Sequence, residues 1–354
     1  MTEEINYKVL WVDDEKNNID PFVIRAENDY NLSIDVASDW ETAEKMLRVH
    51  FREYSAIILD ANCKLRGTDS KPSEFFLGQA SVRLSRIFGE KHEFIPWYVL
   101  SAGTMSQFDT VLELINTEER KNMEFVWGKL LYKKDSSGED SDALLLEKIV
   151  EVSNNKTINK VLLRHADVFK YIGEGNIIDY VQARNYMLKM LSALYNPEEN
   201  LNFEYEGNPL RKVLEYVFRT ANDYGLLPDE CINTQGYIVL LDASRFMGGL
   251  NINCHQGKNV TYQIRYGTAG DGRGGKNGDS IFPQDIANYV QNILRFSNSD
   301  SHTNKDEIFE IKDDIKELFF SFVLQLSHII KWFGRYIEEH PDREANKRKI
   351  QRIG

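Results

Sequence analysis

The sequence is poor in cysteine, poor in positive charge relative to negative, and without any long uninterrupted apolar run. Three cysteines, Cys63, Cys231 and Cys254, stand far apart among 354 residues. That spacing gives no zinc signature and fits a reducing compartment. The net charge of -12 argues against general affinity for nucleic acid, although a local basic patch is compatible with it. The most apolar stretch, Leu318 to Phe333, is interrupted by Gln325, His328 and Lys331 and is too short to span a bilayer. No charged-then-apolar leader opens the sequence, and no internal repeat is present. These absences predict a cytoplasmic protein that does not enter the membrane. The length suffices for two domains of ordinary size, and an apolar content of 42% is enough for sizeable cores.

What is present begins with the run Ala56-Ile57-Ile58-Leu59, which ends in Asp60. Continuous apolar residues, rather than alternating ones, are the mark of a strand covered on both faces. In open α/β sheets ligands sit outside the carboxyl ends of such strands, so Asp60 is delivered to a place where chemistry is expected. Three more runs share the pattern. Lys8 to Val12 ends in Asp13-Asp14-Glu15, Trp97 to Leu100 ends in Ser101, and Leu130 to Tyr132 ends in Lys133-Lys134.

Read in order, residues 7–12 form a first strand and Pro21 to about Asp29 a helix. Leu32 to Val36 form a second strand. Ser38 caps a helix in which Trp40, Ala43, Met46 and Leu47 recur at helical spacing. Tyr54 to Asp60 is the third strand, followed by an unusually long polar loop, Lys64 to Ser73. A helix over Phe75 to Phe88, a strand over Ile95 to Leu100, a helix over Met105 to Asn116, a strand within Phe125 to Tyr132 and a helix over Ala143 to Val152 complete the unit. Strand and helix alternate five times, which predicts an α/β parallel sheet covered on both sides. The boundary is placed near Ser153-Asn154-Asn155, giving domains 1–152 and 153–354. The second is mostly helical, with helices over Ile177 to Leu194, over a segment capped by Asn208 with Pro209 in its first turn and Gly225 just beyond its end, over Pro283 to Phe296 and over Asp306 to Ile337. Val260 to Tyr266 alternates like a strand, and Gly236 to Phe246 fits either class. The seam Phe319, Phe322, Leu326, Ile329 or Ile330, and Phe333 belongs to a core or, alternatively, to a homodimer interface.

Acids at one strand end, an acid at the next, then a hydroxyl, then a lysine, in that order, resemble the receiver domain of bacterial response regulators over about residues 5–152. The resemblance implies a flavodoxin-like, doubly wound five-stranded parallel sheet and phosphoryl-transfer chemistry. Asp60 would accept a phosphoryl group from a sensor histidine kinase or a small phosphodonor. Asp13, Asp14 and Asp60 would hold Mg2+ with the main-chain carbonyl of Asn62, in keeping with that ion's preference for carboxylates, carbonyls and water. Ser101 would contact the phosphoryl group and Lys133 would pair with it. A lysine, Lys134, stands where receivers usually carry proline, so the pairing lysine is open between Lys133 and Lys134, with Lys129 a third choice. Leu130 replaces the usual aromatic three positions before the lysine. The helical domain would then be the output of a two-component system.

In the second half, Arg295 to His302 resembles the Arg–His motif of HEPN-type helical ribonucleases. On that resemblance His302 is a general acid/base, Arg295 stabilises phosphate, and RNA is a substrate. The same spacing recurs at Arg86 to His92 and Arg335 to His340, and a surface turn explains the stretch equally well. A third alternative is a non-catalytic interaction module with a degenerate receiver. Gly270 to Asn277 nearly matches a phosphate-binding loop, but Asn277 replaces the required Ser or Thr, and the segment reads as a surface loop. Asn259-Val260-Thr261 matches a glycosylation acceptor that a cytoplasmic protein does not use. The basic run Lys347-Arg348-Lys349 reads as a solvated end.

Overall fold

A computed structural model describes residues 7–15, 21–101, 117–134, 141–195, 207–256, 258–268, 278–299 and 315–353. The chain divides into two compact units, Met1–Ala166 and Asp167–Gly354.

The first unit is an α/β unit built on a parallel sheet. Its strands are β1 (Tyr7–Val12), β2 (Leu32–Ala37), β3 (Tyr54–Leu59), β4 (Trp97–Ser101) and β5 (Leu131–Lys133), in the spatial order β2-β1-β3-β4-β5. All neighbours pair in parallel. The apolar runs explain the centre of this sheet: Val9 to Val12 and Ala56 to Leu59 are essentially inaccessible to solvent. The covering helices are α1 (Pro21–Tyr30), α2 (Trp40–His50), α3 (Phe76–Lys91), α4 (Thr117–Trp127), α5 (Asp142–Asn154) and α6 (Lys156–Arg164). Each buries an apolar stripe; in α2 it is Trp40, Ala43 and Leu47. The cap of α2 is Asp39 rather than Ser38: its carboxylate accepts from the Thr42 amide.

From β1 the chain moves outward to β2 and returns on the other side of β1 to form β3. At such a reversal the loops leaving the two central strands diverge and open a crevice. The loops leaving β1 and β3 begin with Asp13 and Asp60. The ladder continues one residue past each strand, since Asp13 N–H donates to the Ala37 carbonyl at 3.0 Å and Asp60 N–H to the Val12 carbonyl at 2.9 Å. Both acids are therefore held as rigidly as strand residues.

The fifth strand, expected within Phe125 to Tyr132, lies at the C-terminal end of that span. Residues 125–127 belong to α4, and Met123, Val126 and Trp127 are buried at helical spacing. Gly128, at φ 74°, ends that helix, and only Leu131–Lys133 join the sheet. The helix expected over Met105 to Asn116 lies outside the described residues.

The second unit is mainly helical: α7 (Ala166–Phe169), whose first residue closes the first unit, then α8 (Val181–Tyr195), α9 (Gly207–Asp223), α10 (Leu240–Met247), α11 (Gln284–Ser299), α12 (Ile315–Glu339) and α13 (Arg343–Arg348). Its centre is the packing of α9, α11 and α12. Phe319, Phe322, Leu326, Ile329, Ile330 and Phe333 are all buried within the unit, so the apolar seam is core. Gly225, at φ 72°, follows α9 as expected of a helix stop. Residues 177–180 are not helical; α8 begins at Val181.

Beside the helices lies an antiparallel sheet of β6 (Ile252–Gln256), β7 (Asn259–Tyr266) and β8 (Ile350–Ile353), in the order β6-β7-β8. The basic run read as a solvated end is instead part of this structure. Arg343–Arg348 form α13, Lys349 accepts from the Gly267 amide through its carbonyl, and β8 pairs with β7 from Tyr266↔Ile350 to Gln263↔Ile353.

Candidate metal and phosphoryl site

Three carboxylates meet at the crevice. One oxygen each from Asp13, Asp14 and Asp60 can be chosen so that all lie within 4.8 Å of one another, a grouping of metal-ligating side chains that has no second example among the described residues. All three side chains are sequestered: Asp13 and Asp60 are buried as residues, and the Asp14 carboxylate is 5% exposed. Mutual repulsion of like charges at this range opposes folding unless cations accompany them.

Lys134 and Lys64 are among the cations of the protein that do so. Lys134, just past β5, places Nζ 2.6 Å from Asp13 Oδ2 while its ammonium lies 5.4 Å from the centre of the Trp11 ring. Burial disfavours that ammonium, but its hydrogen bond to Asp13 and the charges of Asp60, Asp13 and Glu15 outweigh burial and hold its pKa above the ordinary lysine value. Lys64, in the loop after β3, reaches Asp14 Oδ2 at 3.6 Å, beyond hydrogen-bond range. Backbone donors add to the set: Glu15 N–H to Asp13 Oδ1 at 2.9 Å and Ala61 N–H to Asp60 Oδ1 at 2.8 Å.

Asp14 Oδ1 stands apart from these. It is buried and finds no hydrogen-bond partner among the described residues. An orphaned carboxylate oxygen inside a triad of acids is the donor set that a hard divalent cation takes. The residues present therefore fit Mg2+.

The loop that carries Lys64 is fastened to the start of α2. Trp40 N–H donates to the Lys64 carbonyl and Glu41 N–H to the Leu65 carbonyl, at 3.0 and 3.1 Å, which satisfies two of the unpaired amides of a helix N-terminus. Cys63 lies beneath, buried, with Sγ 3.9 Å from the Ser38 carbonyl. Burial, followed by the charge of Asp14, pushes its thiol far up from the ordinary cysteine range, so it is an inert packing group.

Of the other residues singled out in the sequence, Asn62 is exposed in the bend two positions after Asp60. Ser101 ends β4 and stands in register with Lys133, which ends β5. Lys133 is half-buried and Lys129 exposed; Lys134 places its ammonium against Asp13, an acid of the triad. Arg295 is exposed on α11, and His302 lies outside the described residues, as does the near match to a phosphate-binding loop over residues 270–277. Sequence reasoning missed Lys64. It stands in a long polar loop, four residues beyond the acid, where no pattern distinguishes it from a solvated lysine.

Among the described residues no helix is long and apolar enough to cross a membrane. Neither a family model nor a curated protein matches the chain. Among solved structures, it is similar to NtrX from Brucella abortus in complex with ADP, at 12% identity over 98% of this chain and 99% of that one, with a TM-score of 0.31. It is also similar to a yeast Spc42 trimeric coiled-coil segment fused to another structure, at 16% identity over 53% of this chain and 95% of that one, with a TM-score of 0.30. Likeness of this degree assigns the chain no function.

Proposed function

We propose that the first unit, Met1–Ala166, contains a receiver, placed by the sequence over residues 1–152, that accepts a phosphoryl group on Asp60, and that the second unit, within the 153–354 of the sequence reading, forms the output domain of a cytoplasmic two-component response regulator. The observation that carries this reading is the buried triad Asp13, Asp14 and Asp60 at the ends of β1 and β3, with an ammonium, that of Lys134, on one member and an orphaned oxygen on another. A structural acid cluster of that kind has no evident purpose. A phosphoryl-transfer site needs all of its parts.

In the proposed reaction a carboxylate oxygen of Asp60 attacks the phosphorus of a phosphohistidine on the partner kinase, or of a small acyl phosphate. The new P–O bond forms as the bond to the leaving group breaks. The leaving group departs with the bonding electron pair, imidazole then taking up a proton, and an acyl phosphate remains on Asp60. The Asp60 carboxylate is aimed by the bond from its own amide to Val12 and by the Ala61 amide on Oδ1. Asp13, Asp14 and Asp60, with the carbonyl of Asn62, would hold Mg2+, whose contribution when bound is to neutralise the clustered negative charge. Ser101 would donate to a phosphoryl oxygen. A lysine at the end of β5 would pair with another; Lys134 is the choice favoured by its reach toward the acids, with Lys133 the alternative. The added charge then shifts an existing equilibrium of the output domain. The ribonuclease alternative gains no support, because Arg295 is described without His302.

Exposure of the full-length protein to acetyl phosphate and Mg2+, followed by intact-mass measurement, tests this. Wild type is expected to gain one phosphoryl group and Asp60→Asn none. An unchanged wild-type mass, or an equal gain in the variant, overturns the proposal.

A further inference from the structure

The two lysines at the acidic triad are held in different ways. Lys134 is a close, committed partner: its ammonium is at 2.6 Å from Asp13 and stands over the Trp11 ring. Lys64 is a loose one. Its ammonium stays 3.6 Å from Asp14 Oδ2, its side chain is 29% exposed, and no aromatic face is recorded against it among the described residues. Its backbone is nonetheless fixed, because its carbonyl accepts the Trp40 amide and the next carbonyl accepts the Glu41 amide. The Lys64 side chain can therefore leave Asp14 for solvent without any movement of the loop. Asp14 is also the acid with the unpartnered oxygen. The loosest internal cation is thus seated on the acid that most needs an external one.

We propose that Lys64 is a positioning residue that sets the divalent-cation affinity of this site: it occupies Asp14 in the metal-free protein and has to withdraw when the cation binds. The inference rests on the reading of the triad as a Mg2+ site. The part-exposed Lys64 ammonium regains hydration on leaving Asp14, so its net effect on affinity is far below the bare Coulomb attraction and amounts to roughly three- to tenfold.

Titration of Mg2+ into the full-length proteins by calorimetry reads this without any phosphoryl transfer. Lys64→Gln and Lys64→Met, two neutral side chains of similar length, are both expected to bind Mg2+ about three- to tenfold more tightly than wild type. Lys64→Arg keeps the charge and is expected to stay within about twofold of wild type. With Asp14→Asn as background, Lys64→Gln is expected to change nothing further, which separates competition for Asp14 from a general field effect. Should wild type bind Mg2+ while both neutral variants bind equally or more weakly, Lys64 has no such role and the receiver reading survives. Should none of the proteins bind Mg2+, the role of Lys64 and the metal site fall together.

Discussion

Asp14→Asn is expected to make the metal-free protein more stable and to weaken its response to Mg2+. The Asp14 carboxylate lies within 4.8 Å of ligand atoms on both Asp13 and Asp60. At an effective dielectric constant of about 20, each such pair repels by roughly 3.5 kcal/mol. Against that stands the attraction of Lys64 at 3.6 Å, roughly 4.6 kcal/mol on the same scale. Asparagine removes both contributions and keeps the shape. The balance favours the variant by about 2 kcal/mol, equivalent to a rise of about 4–8 °C in the melting temperature for a unit of this size. The wild type, in contrast, gains stability from the cation, about 2.7 kcal/mol at a concentration one hundred times its Kd. Thermal melts of both proteins in EDTA and in excess Mg2+ check the pair of effects. If Asp14→Asn melts below wild type in EDTA, or climbs with Mg2+ as wild type does, the repulsion argument is wrong.

Four further outcomes are expected. Lys134→Met leaves Asp13 buried without its cation, and urea unfolding should show a loss of about 3–5 kcal/mol, part of which excess Mg2+ restores. Burial, and after it the charge of Glu151, raises the pKa of Tyr132 to about 12 from 10.0; because the folded value is the higher one, the stability it contributes is complete below pH 10 and is lost as pH rises toward 12, so unfolding midpoints should hold to about pH 10 and fall beyond it. Gly334→Ala puts a methyl group into the ring of Tyr171, and the overpacking should cost about 1–3 kcal/mol in chemical denaturation, where an unchanged midpoint would show that α12 can shift. Truncation after Lys349 removes β8 and the pair between Arg352 and Glu230; circular dichroism and proteolysis should report a destabilised second unit, and indifference to the truncation would mean that the third strand is dispensable.

The parts of the fold that were legible in the sequence are those in which one physical signal dominates. Val9 to Val12 and Ala56 to Leu59 are buried on both faces, so no competing polar pattern interrupts them. Helices α9 and α12 were legible from apolar residues at helical spacing. Where the fifth strand begins was not legible because Phe125, Val126 and Trp127 are strand-prone residues, while the helix that holds them is fixed by burial of Met123, Val126 and Trp127 on one face. Strand β6, Ile252–Gln256, is too polar to announce itself, and β8 has only Ile350 and Ile353 around Gln351 and Arg352. Both exist because β7 supplies hydrogen-bonding edges, a cause found only in three dimensions. The acids of the candidate site were legible because strand ends deliver them. Lys64 was not, since its pairing with Asp14 depends on how a polar loop returns across the helix that follows β2.

The antiparallel sheet has a consequence for synthesis. All five strands of the first sheet are made by residue 133, whereas β7 obtains its second neighbour only at residues 350–353. Roughly 220 residues of translation separate the two events, on the order of 10–45 s at ordinary ribosomal speeds. From the completion of β7 at residue 266 until β8 begins at residue 350, roughly 85 residues and about 4–17 s of translation, one side of β7 is an open template for any stray extended segment. The nascent chain is thus most vulnerable to mispairing late, when its first half has already had time to fold, and a chaperone that shields strand edges would act on the second half.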